Sequence, residues 1–423
     1  MKKIQNPNKL ISLILFSVLI LSYTYVCMTK YCFSSAMAFI VDEGYMTKFQ
    51  TGLITSAFWL VYAISQLFGG AIADRWHPEK LITFGLAAAG VVNVVIFFCY
   101  DNYTLTLVMW MLNALLQFGV WPSVFKIIST MYSGKGLTNA MMIATLASPA
   151  GLMMSYAVAA IVPRWQDNFV VSFVGLFATA VLWELTSLGS KDYIKSLNLT
   201  RAKKTADNES SVSRVQSLKM TKLLALSGLV FVFALAFFRS LVENMKNFVP
   251  SMISESYQQI DPSMSTFMAL IPLFCGAAAP ILSNLLSKKI ENEMKVVTII
   301  FAIMLPISLV TLLLGSVNYW YIIIAMAVVT FGAGASTFFI TTLIATKFNK
   351  WGKGATVAGW LNTFTAVGNV VASVLMTGLA DYFNSWIVPL IALIAFIVIT
   401  LVISVIELPI WKRFKTNYYY EKE

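Results

Sequence analysis

The sequence has few charged residues, one histidine and four cysteines. The shortage of charge and the placement of the cysteines each exclude a class of protein. Charged residues make up 12% of its 423 residues, against about a quarter in soluble domains, so a soluble multi-domain protein is excluded. The cysteines lack metal-ligand spacing, and we expect buried thiols and no metal site. With no nucleotide-binding loop or nucleophile arrangement, neither an enzyme nor a cofactor is expected.

Apolar residues make up 58% of the chain and fall into long runs. Runs of about 20 residues or more are long enough to cross a bilayer as helices, and they lack the alternation of strands. The sequence therefore predicts an all-α membrane protein of twelve spans, at 10–40, 49–73, 80–100, 104–131, 137–162, 169–188, 221–250, 262–286, 294–315, 319–347, 352–379 and 384–410.

The longest polar stretch, 189–219, is rich in Lys, Ser, Asn and Thr and divides the spans equally. We expect an N-terminal six-helix bundle (1–188), a central cytoplasmic linker (189–219) and a C-terminal six-helix bundle (220–423). Two pseudo-symmetric bundles are the plan of transporters that rock around a site at the bilayer midplane.

The net charge of +11 is unevenly distributed. If both termini are cytoplasmic, 24 of the 30 Lys and Arg residues lie in inner segments, two in outer segments and four within spans. The positive-inside rule then gives that topology. The basic balance is an orientation signal, so we expect a lipid bilayer and no nucleic acid as partner.

Two of the cations within spans lie at matching depth in the two halves. Lys30 is about twenty residues into the first run and Arg239 is about as far into the seventh. A charge at the bilayer centre costs about 2.5–3.5 kcal/mol on insertion scales, so it needs a partner, a water-filled cavity or a ligand. The pair predicts a pathway that handles an anion.

The junction of spans two and three carries a motif that combines a glycine, an acid and basic residues. Gly70 permits close helix contact, Asp74 ends the helix, and Arg75 and Lys80 follow at the wet surface. We expect these four residues to form a conformational lock. The motif resembles the inner-loop signature of the major facilitator superfamily; the matching place in the second half has Asn284 where Asp would stand.

Within that superfamily the chain most resembles the organophosphate–phosphate antiporters, the glycerol-3-phosphate and hexose-phosphate transporter group. Four stretches carry the resemblance: 30–44 in span one, Tyr62 and Gln66 in span two, Gly119-Val-Trp121-Pro122 with Lys126 in span four, and the region from Lys353 through Trp360 to Asp381 in span eleven.

The resemblance implies that Lys30 and Arg239 bind the substrate anion and that Tyr23 and Tyr62 line the cavity. Three departures remove phosphate-binding capacity. Lys30 stands for an arginine, so a point charge replaces a bidentate group; Gln66 stands where a cation is frequent; and the fifth helix lacks a histidine around Ala147. An organophosphate, a sugar acid and a carboxylate all remain open as the solute.

Several further polar residues admit two interpretations. Glu243 and Lys246 follow Arg239 on one helix face; they either pair among themselves, or Glu243 offsets a cation in the empty site and carries a proton. Lys126 either snorkels, contacts a cytoplasmic gate or binds ligand. Glu184 and Glu407, near inner span ends, are expected at the membrane interface.

Trp121, Trp360 and Asn362 also admit two interpretations each. Trp121 and Trp360 either wall the site or face lipid. Asn362, which repeats with Thr365 and Asn369 at helical spacing, either lines the cavity or bonds a neighbouring helix.

The sequence thus predicts a monomeric secondary transporter of the bacterial inner membrane that moves a small anionic solute by alternating access. Antiport, with inorganic phosphate for example, and symport with a proton are both open. The alternatives are a proton-coupled exporter of a neutral or drug-like solute and a transporter-like organophosphate sensor.

Overall fold

In the computed structural model, the described residues are 7–132, 134–193, 220–287, 291–351 and 353–419. The first half has α1 (Pro7–Asp42), α2 (Lys48–Arg75), α3 (Pro78–Cys99), α4 (Tyr103–Leu116), α5 (Val120–Met131), α6 (Gly134–Ile161) and α7 (Asp167–Gly189). The second half begins with α8 (Met220–Ser227), α9 (Leu229–Asn244), a 3-10 turn (Met245–Phe248), α10 (Val249–Ser256), α11 (Pro262–Met268), α12 (Leu270–Ser287) and α13 (Glu293–Leu314). It continues with α14 (Tyr319–Thr337), a π-helix (Phe338–Leu343), α15 (Ile344–Lys347), a 3-10 turn (Phe348–Trp351), α16 (Gly354–Tyr382), α17 (Ile387–Phe414) and a π-helix (Lys415–Tyr419).

Each of the twelve predicted spans corresponds to a helix or a broken helix. Among the described residues, ten helices are long and apolar enough to cross a membrane. The pair Met220–Ser227 and Leu229–Ser256, bent by 71°, makes eleven when it is counted as one span. Helix α2, with 28 residues, accounts for the second predicted span. The predicted all-α membrane fold is confirmed.

The helices pack into two compact units. The first comprises the described residues within Met1–Ala36 and Val61–Ser213, and the second those within Met37–Leu60 and Arg214–Glu423. The division therefore passes through α1 and α2, because the C-terminal end of α1 and the N-terminal part of α2 belong to the second unit.

The first unit has a core of side chains that includes Leu19, Leu86, Val124 and Trp183. Helix α3 lies along α7, where the Trp183 indole donates a hydrogen bond to the carbonyl of Glu79 at 3.0 Å. Lipid is as apolar as leucine, so packing and such hydrogen bonds, worth about 0.6 kcal/mol each, hold membrane helices together.

In the second unit, α12 lies along α14, α9 along α16 and α13 along α17. The α13–α17 pair joins spans nine and twelve, as the α3–α7 pair joins spans three and six. The same pairing therefore recurs six spans later, which is the pattern expected of pseudo-symmetric halves.

Two glycines bring helix backbones together beside the buried cations. A Cβ on Gly151 of α6 would lie 2.6 Å from the carbonyl oxygen of Thr24 in α1. A Cβ on Gly368 of α16 would lie 2.6 Å from the carbonyl oxygen of Phe237 in α9. Each glycine thus fixes the backbone of a helix that carries one of the cations.

The N-terminal part of α2 is held within the second unit by polar contacts. The Ser56 hydroxyl donates to the carbonyl of Val370 at 2.8 Å. Lys48 pairs with Glu255 at 2.6 Å, and the Trp386 indole donates to the same carboxylate at 3.0 Å. Both donors contact the same carboxylate oxygen, Oε2, while Oε1 of Glu255 has no partner among the described residues.

Candidate functional site

Lys30 lies on α1 inside the first unit, with 6% of its surface exposed. Its ammonium donates to the Tyr62 hydroxyl at 2.8 Å and lies 4.3 Å from the centre of the Tyr62 ring and 5.5 Å from that of Tyr23. Ring faces carry negative potential and attract cations. No carboxylate among the described residues pairs with Lys30, and the contacts described for its ammonium are those with Tyr62 and Tyr23.

Tyr23 connects Lys30 to a further aromatic residue, Trp121. Because Tyr23 lies seven residues before Lys30, two helical turns place both on the same face of α1. The Tyr23 ring packs on Trp121 of α5 with centroids 5.0 Å apart. The structure thus places Tyr23 and Tyr62 beside Lys30 and Trp121 against Tyr23, and their contact with a solute stays a prediction.

Gln66 lies one turn after Tyr62 on α2, and its amide is engaged by the backbone. It donates to the carbonyl of Phe118 at 3.1 Å, in the break between α4 and α5. A carbonyl released at a helix break needs a donor in a membrane, and Gln66 provides one. Its predicted contact with substrate stays a prediction.

Arg239 lies on α9 in the second unit and is fully buried. One guanidinium nitrogen, Nη1, donates to both Glu243 and the Thr337 hydroxyl. The other, Nη2, donates to the Thr365 hydroxyl at 3.3 Å, while Nε has no partner among the described residues. Arg239 is therefore anchored by three helices: α9, α14 and α16.

Glu243 pairs with two cations at once. Its second oxygen accepts from Lys246 at 2.9 Å, in addition to its contact with Arg239. The three side chains carry a formal charge of +1, and those of Glu243 and Lys246 keep 23% and 18% of their surface exposed. Lys246 reaches Glu243 from the 3-10 turn after α9, whereas the sequence predicts one continuous helical face.

Two threonines complete this cluster, and the sequence does not single out Thr337. It contacts both Arg239 and Glu243 and is the last residue of α14, directly before the π-helix Phe338–Leu343. π-Bulges are frequent at functional sites. In the sequence, Thr337 is marked only by its place directly after the small residues 332–336. Only the fold shows that its hydroxyl contacts Arg239.

A second polar network fixes α1 near Lys30. Asn93 of α3 donates to the Thr29 hydroxyl at 2.6 Å, and Asn168 of α7 donates to the Ser35 hydroxyl at 2.9 Å. These buried hydrogen bonds tie the residues around Lys30 to two other helices, which restrains the position of its backbone.

The remaining predicted residues lie on α5 and α16. Lys126 is half-buried on α5, and the Asn362 side chain is exposed on α16. Trp360 is 38% exposed and packs against Phe233 with ring centroids 5.7 Å apart. Their roles at a gate or in binding stay predictions.

The predicted conformational lock is described only in part. Lys80 is exposed in the first turn of α3, and α2 ends at Arg75. The side chains of Gly70, Asp74 and Arg75 lie outside the described residues, so the lock stays a prediction.

The thiols are buried at Cys27, Cys32 and Cys99 and half-buried at Cys275, and none forms a disulfide. In the described part of the chain, no group of three or more His, Cys, Asp or Glu residues is arranged to hold a metal ion.

Comparison with known proteins identifies the family. The family model described as Major Facilitator Superfamily matches residues 19–372. The chain belongs to the Major Facilitator Superfamily. The predicted superfamily, and with it a transporter fold instead of an enzyme, is confirmed.

Two curated relatives share local sequence similarity with this superfamily member. The "Membrane sensor protein UhpC" of Salmonella typhimurium is 29% identical over 113 residues, 27% of this chain and 25% of the relative. The "Probable hexose phosphate transport protein" of Chlamydia trachomatis is 26% identical over 119 residues, 28% of this chain and 26% of the relative. The matches thus span about a quarter of each relative, and the names agree with the resemblance to organophosphate–phosphate antiporters.

A solved structure extends the likeness over the whole fold. A bacterial homolog of the human lysosomal transporter Spinster, crystallised in an inward-facing, unoccupied conformation, matches with a TM-score of 0.73. The match covers 97% of this chain and 98% of the other at 13% identity. At this identity the likeness establishes the fold alone.

Proposed function

We propose that this member of the Major Facilitator Superfamily is a secondary active transporter of a small organic anion. Lys30 in the first unit and Arg239 in the second each contribute a positive charge to solute binding. Tyr23, Tyr62 and Trp121 surround the first charge; Glu243 and Lys246 modulate the second. Transport proceeds by alternating access, as antiport or ion-coupled symport.

The environment of Lys30 carries this proposal. Its ammonium is buried and has no carboxylate partner among the described residues. An uncompensated charge within a membrane span is costly, and cation–π contacts are worth about 2 kcal/mol when desolvated. An anionic ligand would supply the missing charge. The alternative of a neutral or drug-like solute requires internal ion pairing, which Lys30 lacks in the described part of the chain.

The solute class follows from the two cationic groups and from the relatives. Arg239 offers a planar guanidinium, whereas Lys30 offers a point charge, so phosphate, carboxylate and sugar-acid groups are all compatible. The hexose phosphate named for the chlamydial relative makes a sugar phosphate the first probe. The Lys and Arg bias supports cytoplasmic termini, and the proposal includes a monomer in a bacterial inner membrane.

A second candidate is a membrane sensor, because one relative is named as such. A sensor would bind the same anion through the same cations. It would show ligand binding without flux across the membrane, whereas a transporter shows both.

The test is a ligand screen by thermal unfolding of the purified full-length protein. The probes are a hexose 6-phosphate, inorganic phosphate, a hexuronate and a dicarboxylate, with the uncharged hexose as the matched control. We expect at least one anion to raise the unfolding temperature and the uncharged hexose to leave it unchanged. The proposal is wrong if the uncharged hexose stabilises the protein and no anion does.

A variant links the screen to the site. The stabilising anion should lose its effect on Lys30→Gln and keep it on Lys295→Gln, which removes an exposed lysine of α13. An equal shift in both variants would place the anion elsewhere.

A further inference from the structure

Glu407 of α17 is a buried carboxyl group that the proposed solute site does not use. It has 0% of its surface exposed, and neither side-chain oxygen has a hydrogen-bond partner among the described residues. The sequence predicts a residue at the membrane interface here, and the structure shows that its side chain is buried inside the second unit. Its counterpart in span six, Glu184, is only half-buried and accepts from the Thr83 hydroxyl at 2.6 Å.

The Glu407 carboxyl group lies at the break in span seven. Gly228, with φ +65°, separates α8 from α9, and a Cβ on it would overlap both oxygens of Glu407. The residue at this position must therefore be glycine, both for its backbone conformation and for the space that Glu407 occupies. The two helices meet there at 71°.

The first turn of α9 does not use Glu407 as a cap. The N–H groups of Phe231 and Val232 donate to the carbonyl of Gly228, and none donates to Glu407. The N-terminus of a helix attracts negative charge. An ionised Glu407 carboxylate beside Gly228 would therefore be expected to accept hydrogen bonds from N–H groups in the first turn of α9.

In the described part of the chain, no charged group pairs with Glu407 either. The elements packed against α17 are α8, α9, α13, α16 and the π-helix Lys415–Tyr419. Arg239 pairs with Glu243, and Lys415 pairs with Glu293. None of the titratable side chains on these elements or on α17 itself is within 4.0 Å ion-pair distance of Glu407: Lys222, Arg239, Glu243, Glu293, Lys295, Asp381, Tyr382, Lys412, Arg413, Lys415 and Tyr418.

We propose that Glu407 is a proton-binding site at the break in span seven. The carboxylate accepts one proton from water and becomes a neutral acid, since an isolated buried carboxylate costs far more than the neutral form. When the proton leaves, the negative charge is attracted to the positive N-terminal end of α9, and the bend at Gly228 changes. Span seven also carries Arg239 and Glu243, so proton binding at Glu407 is coupled to their helix.

Infrared difference spectroscopy tests the proposal directly, with the full-length protein in lipid vesicles. At pH 7 the wild type should show the carbonyl stretch of a protonated carboxylic acid. This band should disappear in Glu407→Gln and persist in the matched control Glu184→Gln. A wild-type spectrum without the band, or a band unchanged in Glu407→Gln, would overturn the proposal.

Thermal unfolding gives a second readout, which needs no solute and so does not depend on the proposed transport. Above about pH 4.3 the unfolded chain ionises this glutamate, while the folded protein keeps the proton, so the folded state binds one more proton. Stability should therefore fall as pH rises. The same titration should be flatter in Glu407→Gln and in the apolar Glu407→Met.

The unfolding temperatures of Glu407→Gln and Glu407→Met at pH 7 also distinguish a neutral Glu407 from an ionised one. If Glu407 is neutral, Gln and Met preserve or raise the unfolding temperature. If both variants unfold at much lower temperature and keep the wild-type pH slope, Glu407 is an ionised structural group and the proposal is wrong.

Discussion

At the scale of the residue, the two buried cations differ in how their charge is compensated. Lys30 is held by one hydroxyl and two aromatic rings, whereas Arg239 shares a carboxylate with Lys246. A solute anion would therefore add the first counter-charge to Lys30, while at Arg239 it would compete with Glu243.

Tyr62 provides the one hydrogen-bond acceptor of Lys30 that the described contacts include. Tyr62→Phe keeps the ring and removes that acceptor, leaving a buried ammonium group unsatisfied. We expect a loss of stability of about 1–3 kcal/mol, measured by thermal unfolding, and a partial recovery with the stabilising anion. Recovery with the uncharged hexose as well would argue against charge compensation.

Glu243→Gln should convert the +1 cluster to +2 while keeping the shape of the side chain. Because Arg239 and Lys246 would no longer share a carboxylate, their positive charges would repel each other. The variant should therefore unfold at a lower temperature than the wild type in low salt. Inorganic phosphate should restore it more strongly than in the wild type, because a bound anion stabilises by about 2.7 kcal/mol at a hundred times its Kd. The control Glu291→Gln removes an exposed carboxylate and should behave as the wild type; an identical phosphate response in both variants contradicts the expectation.

Sequence reasoning at this scale located the charges but not their partners. Lys30, Arg239, Glu243 and Lys246 stand out because charge is rare in apolar runs. Thr337 does not, because a hydroxyl costs little in a helix and its relation to Arg239 is set by the packing of α9 against α14. Burial of Glu407 likewise depends on which face of α17 meets α8.

At the scale of the element, glycines determine how closely the cation-bearing helices approach their neighbours. Gly151 lies against the backbone of α1 beside Cys27 and Met28, and Gly368 lies against α9 beside Phe237 and Ser240. Glycine and other small residues at such crossings are the usual basis of close packing in membranes. The sequence indicates which residues are small, but not which helix each one faces.

Gly368→Ala should separate α16 from α9, because the added methyl group would overlap Ser240 and the carbonyl of Phe237. We expect destabilisation by about 1–3 kcal/mol, as for other overpacked sites, measured by thermal unfolding. The matched control is Gly359→Ala on the same helix, where an added Cβ meets nothing within 4 Å. It should be neutral or stabilising by about 0.5–1 kcal/mol, and an equal loss in both variants would contradict the packing account.

At the scale of the whole molecule, hydropathy is sufficient to predict the fold class. Each of the twelve runs corresponds to a helix because lipid requires every backbone group to bond within its own segment. Interruptions are less predictable. At the break between α4 and α5 the Gln66 amide donates to the carbonyl of Phe118, and at the break at Gly228 the Glu407 carboxyl group occupies the space beside the glycine; hydropathy reveals neither contact.

Uptake by proteoliposomes containing the full-length protein tests the central claim most directly. The wild type, Lys30→Gln, Arg239→Gln, the double variant and the control Lys295→Gln are compared at equal protein content, with the stabilising anion as radiolabelled solute. We predict uptake by the wild type and the control, and at least a tenfold loss in each variant that lacks a buried cation, equivalent to about 1.4 kcal/mol or more of binding free energy. Wild-type uptake by the Lys30→Gln, Arg239→Gln double variant would contradict the account.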